Sequence, residues 1–345
     1  MGTFAGFEEK EFETLANASF VLGAPNAGRN TPALFSPGQV LERTMGFDFS
    51  VYLDPTSTTY RLLFGAYPGP RTPGATTPPA QLPTAARSVN TFVQYKRPEY
   101  FTQNHRQTVW RGQPFLRFSV RSRYRLNGQP VDDHSQLETL DRLASNNPGL
   151  KVRYACPSAW TRNDLYADYT RRSLISNCAF TDPRNLSHVE NGRHAGWHDY
   201  WTYQPTNPAL GRPNPSGPSR ESQTGDGFME EIRRSVDAQP SNGFRDEVFQ
   251  IQTNTRESLK ESRFFASKSD LRGRTKAQTV DQATKSTKKD FLDTPRDENW
   301  LVNSSELDYP PPRLPRDDEM EVVETTVEVA ATARELGLTW MTAFG

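Results

Sequence analysis

Between Asp132 and Cys156 the sequence leaves little choice of structure. In "DDHSQLETLDRLASNNPG" (132–149), Leu137, Leu140, Leu143 and Ala144 recur at helical spacing and make one apolar stripe. Asp133 or Ser135 can cap the start, and Asn147-Pro148-Gly149 cannot continue the helix. "LKVRYAC" (150–156) then alternates, with Leu150, Val152, Tyr154 and Cys156 on one side. A helix that leads straight into a half-apolar strand needs a sheet to lie against.

Elements of matching character surround it. "EEKEFETLANASFV" (8–21) reads as a helix with acids in its first turn. A short helix is expected over 38–45, and "GFDFSVYL" (46–53) alternates as a strand, with Asp48 on the side opposite Phe47, Phe49 and Val51. Residues 54–90 form a Pro-rich insert that cannot be regular throughout. "TFVQYKR" (91–97) is a strand, and "PFLRFSVRSRYRL" (114–126) reads as one long strand with Arg117, Arg121, Arg123 and Arg125 on a single face. Thr161 and Asp164 suit a capping box for a helix over 162–172. The pattern predicts an α/β fold with a central mixed β-sheet flanked by helices, in a first domain over 1–203.

The remainder has another character. Residues 204–325 are low in hydrophobic residues and rich first in Pro and Ser, and are expected to be a poorly regular extension. Within it, 256–289 carry ten Lys/Arg against four Asp/Glu, and 290–325 carry three against eleven. These opposed blocks account for a formal net charge of +0, so total charge argues for no partner. In 326–345, Leu336, Trp340 and Phe344 follow each other at i, i+4, beside Leu338 and Met341. A helix docking on its own sheet, on a second copy or on a partner protein is expected there.

Two cysteines, Cys156 and Cys178, are too few for a disulfide scaffold. No basic, apolar leader opens the sequence, and no run of about 18 apolar residues would span a bilayer. A cytoplasmic protein without membrane contact is expected. His194 and His198 are four apart, but "GRHAGWHDYW" has no helical pattern to put them on one face, and Cys156 falls on the apolar side of its strand. There is no G-x-S-x-G and no phosphate loop.

The anomaly lies in "TFVQYKR". Gln94 and Lys96 share a strand face, and a lysine is costly to bury without a partner. Such a strand is either a sheet edge or the wall of a polar site.

A G-hydrophobic-D strand, "GFD" (46–48), followed by a Q-x-K strand, "VQYK" (93–96), resembles the PD-(D/E)XK nuclease superfamily, in its D…QxK variant of Mrr-type restriction endonucleases. The helix–strand unit after it is similar as well, and the chain further resembles an uncharacterised bacterial branch with a "QYK" strand and a later "YACP" strand. The resemblance covers roughly residues 8–200. It implies a restriction-endonuclease-like core and a metal-dependent DNA endonuclease, an effector of anti-phage defence or restriction. It also implies a Mg²⁺ (or Mn²⁺) site of Asp48, Gln94 and Glu42, with Lys96 acting on the attacking water. Glu8, Glu9, Glu11 and Glu13 are alternatives to Glu42. Arg97, Arg117, Arg121, Arg123 and Arg125 would grip DNA phosphates. Two features depart from the pattern: Gln94 carries no charge, and 46 residues separate it from Asp48. An inactive module that binds nucleic acid or a protein is the alternative.

Overall fold

A computed structural model describes residues 2–23, 88–102, 110, 112–126, 129–190, 193–213, 220–238, 246, 249–254, 325, 328–329, 333 and 338–344. In chain order the elements are β1 (Thr3–Phe4), α1 (Glu9–Gly23), β2 (Ser88–Tyr95), β3 (Glu99–Phe101), β4 (Phe115–Ser119), β5 (Ser122–Leu126) and β6 (Gln129–Asp133). Next come α2 (Ser135–Asn146), β7 (Lys151–Pro157), α3 (Arg162–Thr170), β8 (Cys178–Thr181) and a 3₁₀ turn at Pro183–Leu186. They are followed by β9 (Ser187–Glu190), β10 (Arg193–Trp197), β11 (Tyr200–Gln204), β12 (Asn207–Pro213), β13 (Arg220–Glu221) and β14 (Gln223–Thr224). The last are α4 (Gly225–Ala238) and β15 (Thr339–Phe344).

The fold is mixed α/β. A five-stranded sheet has the order β14-β8-β7-β2-β15, in which β2 and β7 run parallel and the other pairs are antiparallel. The crossover from β2 to β7 contains α2, whose Leu137, Leu140 and Leu143 are fully buried, as its stripe predicts. The helix starts at Ser135, and no side chain caps it. His134, at the cap position, is instead 2.9 Å from Asp199 through Nε2. Asn147 closes the other end by donating to the Leu143 carbonyl at 2.9 Å. The Thr161 hydroxyl accepts from the Asp164 amide at 3.1 Å and caps α3.

A second, antiparallel sheet of six strands, β1-β3-β4-β11-β12-β13, packs on one face of the first. Phe92, Val152, Tyr154, Cys156 and Trp340 there meet Leu116, Phe118, Trp201 and Tyr203, with the α2 leucines alongside. The other face, with Val89, Val93, Tyr95, Ala155 and Phe180, is covered by Phe12 and Ala16 of α1, Leu165 of α3 and Phe228, Ile232 and Val236 of α4. Gly225 opens α4 because a Cβ there would lie 1.9 Å from the Ile175 carbonyl oxygen. With both faces covered, every residue of β2 from Val89 to Tyr95 is buried, the polar ones included.

Four expectations are corrected. The segment 114–126 is two strands in different sheets, because the chain turns at Val120 and Arg121, where Asp199 takes the Val120 amide on its carbonyl and Arg121 on its carboxylate. Residue 203 is no boundary, since β11 pairs with β12 and α4 packs against the central sheet. The C-terminal segment ends as a strand: residues 325, 328–329 and 333 are helical, but Thr339–Phe344 pair along β2 from Val93 to Ser88. Spacing of four suits a strand as well as a helix, and Gly337 with two threonines favours the strand. Residues 88–90, placed in the insert, open β2. The expected helix 38–45 and strand 46–53 lie outside the described residues. No helix of the described residues is long and apolar enough to cross a membrane.

At the start of β7, buried Arg153 bridges Asp182 at 3.1 Å and Glu231 at 2.8 Å, and Lys151 reaches Glu231 at 3.4 Å. Burial would raise the Asp182 carboxyl, but the hydrogen bond from Arg184 and the charge of Arg153 outweigh it and hold it low. Burial likewise opposes Glu231, and Arg153 overrides it. We expect Arg153→Ala to cost about 3–5 kcal/mol in urea melts at neutral pH, because it strands buried carboxylates. The stabilisation from these lowered acids is full above the ordinary carboxylate range and is lost as pH falls through their folded values. The deficit of the variant should therefore shrink below about pH 4.

Candidate active site

Gln94 is not an exposed edge residue. β15 pairs with β2 from Ser88 to Val93 and β7 from Thr91 to Tyr95, and Gln94, paired with β7 alone, is 5% exposed. Its register partner is Tyr154, whose partner in turn is Thr181, so the three side chains form one row across β2, β7 and β8 on the face toward the second sheet. Each carries a buried polar atom without a protein hydrogen-bond partner: Gln94 Oε1, the Tyr154 hydroxyl and Thr181 Oγ1. Buried polar groups are rarely left so. Burial, and then the charge of Asp141, raise the Tyr154 hydroxyl so that it stays protonated.

Lys96 follows at the C-terminal end of the parallel pair, its amide bonded to the Ala155 carbonyl at 2.8 Å. Its ammonium lies 5.8 Å from the Tyr154 ring centre. Among the described residues no carboxylate lies within ion-pair distance of it. Burial pushes this ammonium below the ordinary lysine value, against the opposing pull of Glu9 and Cys156. Crevices beyond the carboxyl ends of parallel strands are where open α/β sheets hold ligands.

The N-terminal helix supplies the nearest acids, and packing separates them. Glu8 is paired with Arg97 at 3.0 Å, Glu11 with Arg162 at 2.9 Å, and Glu13 with Lys10 at 3.3 Å while also accepting from Thr339. Glu9 accepts from the Arg97 amide at 3.3 Å, and it is the carboxylate that acts on Lys96. The sequence offered these four as equals; tertiary contacts single out Glu9. Asp48 and Glu42 lie outside the described residues. The place beside β2 is held, from Ser88 to Val93, by β15.

Magnesium prefers oxygen ligands, and Gln94 and Glu9 offer an amide oxygen and a carboxylate. Among the described residues no group of three His, Cys, Asp or Glu could hold a metal by itself. Cys156 and Cys178 are buried thiols on opposite faces of the sheet, Cys156 facing Ala179 and Cys178 facing Pro157 in register. His194 bonds Ser187 at 2.9 Å.

The expected phosphate-binding arginines are not one face. Arg97 is held by Glu8 and by the Ala5 carbonyl, Arg117 by Glu99, and Arg121 by Asp199 and the Tyr200 hydroxyl. Arg123 and Arg125 belong to β5, opposite Asp132 and Pro130 of β6. Tyr154 and Thr181 were missed, because cross-strand register leaves no trace in the local sequence.

Compared with known protein families, with curated proteins and with solved structures, the chain matches none of them.

Proposed function

We propose that the chain is a metal-dependent DNA endonuclease of the PD-(D/E)XK type, built on a restriction-endonuclease-like core and acting in the cytoplasm in restriction or anti-phage defence. The observation that supports this best is the buried, unpartnered Gln94 oxygen beside a desolvated Lys96. A bound Mg²⁺ or Mn²⁺ would polarise the scissile phosphate and supply an activated water. Gln94 and Glu9 would hold it, with Asp48 as the expected third oxygen donor. Lys96, its proton loosened by burial, would orient the attacking water and take up its proton. The Tyr154 ring centre lies 5.8 Å from that amine.

Replacing the neutral ligand tests this assignment. Gln94→Glu restores the commoner acidic ligand and should tighten Mn²⁺ binding about tenfold in calorimetry, since one added full charge sits at the cation. Glu9→Ala should weaken it. Equal Mn²⁺ affinity in all three proteins would remove both residues from the site.

A second reading is a nuclease-fold module that binds without cutting. It draws on the occupancy of the neighbouring position by β15 and on the missing charge at Gln94. Salt-sensitive DNA binding with no Mn²⁺ uptake by the wild-type protein would favour it.

A further inference from the structure

Two histidines stand together in the fold, and they are not the two that sequence spacing suggests. Among the described residues β9 and β10 pair only with each other, as a two-stranded sheet. Register sets Ser187 opposite Trp197, His188 opposite Gly196 and Val189 opposite His194. His194 is bonded to Ser187 at 2.9 Å, so both lie on one face of this hairpin, and alternation puts His188 on the other. His198, one residue beyond Trp197, comes to the His188 face: the two ring centres are 5.2 Å apart and the rings are tilted by 45°.

The backbone under this pair is held, and its rings are uncommitted. The His198 amide donates to the Leu186 carbonyl at 2.9 Å. Arg220 of β13 donates to the Ser187 carbonyl at 3.4 Å and to that of Asn185 at 2.9 Å, which ties the start of β9 to the six-stranded sheet. Among the described residues neither imidazole has a hydrogen-bond or ion-pair partner. The carboxylate of neighbouring Asp199 is taken by His134 and by Arg121, each at 2.9 Å. His188 is exposed, and Gly196 opposite it brings no side chain; a Cβ there would meet nothing within 4 Å. Burial, then the charges of His188 and Arg220, push the His198 imidazole below its ordinary value, against the pull of Asp199. At neutral pH it therefore keeps the lone pair that a metal requires.

Two imidazoles on one tetrahedral Zn²⁺, each bound at about 2.0–2.1 Å, have ring centres roughly 5 Å apart, the separation found here. Imidazole nitrogen suits zinc, copper and nickel, whereas Mg²⁺ and Mn²⁺ prefer oxygen. Two protein ligands are fewer than those of a closed structural site, so such an ion keeps positions for water or an anion.

We propose that His188 and His198 form an exchangeable site for Zn²⁺, distinct from Gln94 and Glu9, with the remaining coordination positions open to water or an anionic ligand. The ion closes the hairpin at its base, from residue 188 to residue 198. A two-stranded hairpin is marginal by itself, and this is the segment such a clip would firm. The site stands whether or not the nuclease reading does.

Calorimetry of the full-length protein with ZnCl₂ should give one ion per chain. His188→Ala and His198→Ala should each weaken binding by about tenfold or more, since loss of even an outer partner of a ligand costs that much. His194→Ala and Gln94→Ala should bind Zn²⁺ as wild type does, and excess Mg²⁺ should not displace it. Co²⁺ in place of Zn²⁺ should show the intense visible bands of a four-coordinate ion in wild type and lose them in either alanine variant. Thermal melts check folding; if His198→Ala unfolds, His198→Gln, which keeps the bulk and the bond to Leu186, and the exposed His188→Ala carry the test. Wild type that binds no Zn²⁺ overturns the site. Affinity that both substitutions leave unchanged shows an adventitious ion only and overturns it as well. One ion per two chains, with the mass doubled in light scattering, overturns the open positions in favour of a bridge between copies.

Discussion

A chain ending at Gly337 should have no cooperative thermal melt. β15 supplies six register pairs to β2, and without it the buried central strand becomes an open edge. Trp340 is 1% exposed, packs edge-on against Phe92 with ring centres 6.5 Å apart, and donates its indole N–H to Asn90 at 3.0 Å. Truncating a buried tryptophan alone costs about 3–5 kcal/mol, and losing a buried leucine such as Leu338 about 2–5 more. Together with the freed backbone groups of β2, this matches the whole stability of an ordinary domain, about 5–15 kcal/mol. Circular dichroism and size-exclusion chromatography of the truncated chain provide the check. A monomer that melts as the full chain does would show that the strand contributes nothing to the fold. Trp340→Ala should give the smaller loss in a protein that still folds.

Lys96→Ala should reduce metal-dependent plasmid cleavage by about 10²–10⁴-fold, the usual worth of a group that handles a proton in the transition state. It should not lower the melting temperature. The ammonium is desolvated without an ion pair, so removing it relieves as much as it costs. The sign in pH follows from the lowered value. Between that value and the ordinary lysine value the unfolded chain holds more protons, so wild-type stability rises with pH in this window. Cleavage should rise through the same window as the amine becomes neutral, and the limb should vanish in Lys96→Ala. Undiminished cleavage by the variant would take Lys96 out of the reaction.

What is legible in the sequence is what is local. The α2 stripe and the Thr161 cap depend on residues within a turn or two, and both hold in three dimensions. Gln94 and Lys96 also stand out locally, because two polar side chains share a face of an otherwise apolar strand. The turn at Arg121 depends on Asp199, far along the chain, so the arginines of 114–126 look like one face. Leu336, Trp340 and Phe344 fit period two and period four equally well, and only the pairing of this segment with β2 decides. Glu9 cannot be told from Glu8, Glu11 or Glu13 until Arg97, Arg162 and Lys10 have taken their partners.

The pairing of β15 with β2 also sets a timetable. Trp340 and Asn90 are bonded across 250 residues. At a synthesis rate of roughly 5–20 residues per second, β2 waits about 10–50 s on the ribosome before its antiparallel neighbour exists. During that interval Phe92 and Val93 sit on an unpaired edge of the kind that chaperones cover and that neighbouring nascent chains can seize. Contacts of such long range also make refolding slow, since the intervening loop must be closed before the pairing returns any stability. Yield in the cell should therefore respond to growth temperature and chaperone supply more steeply than the melting temperature of the finished protein suggests.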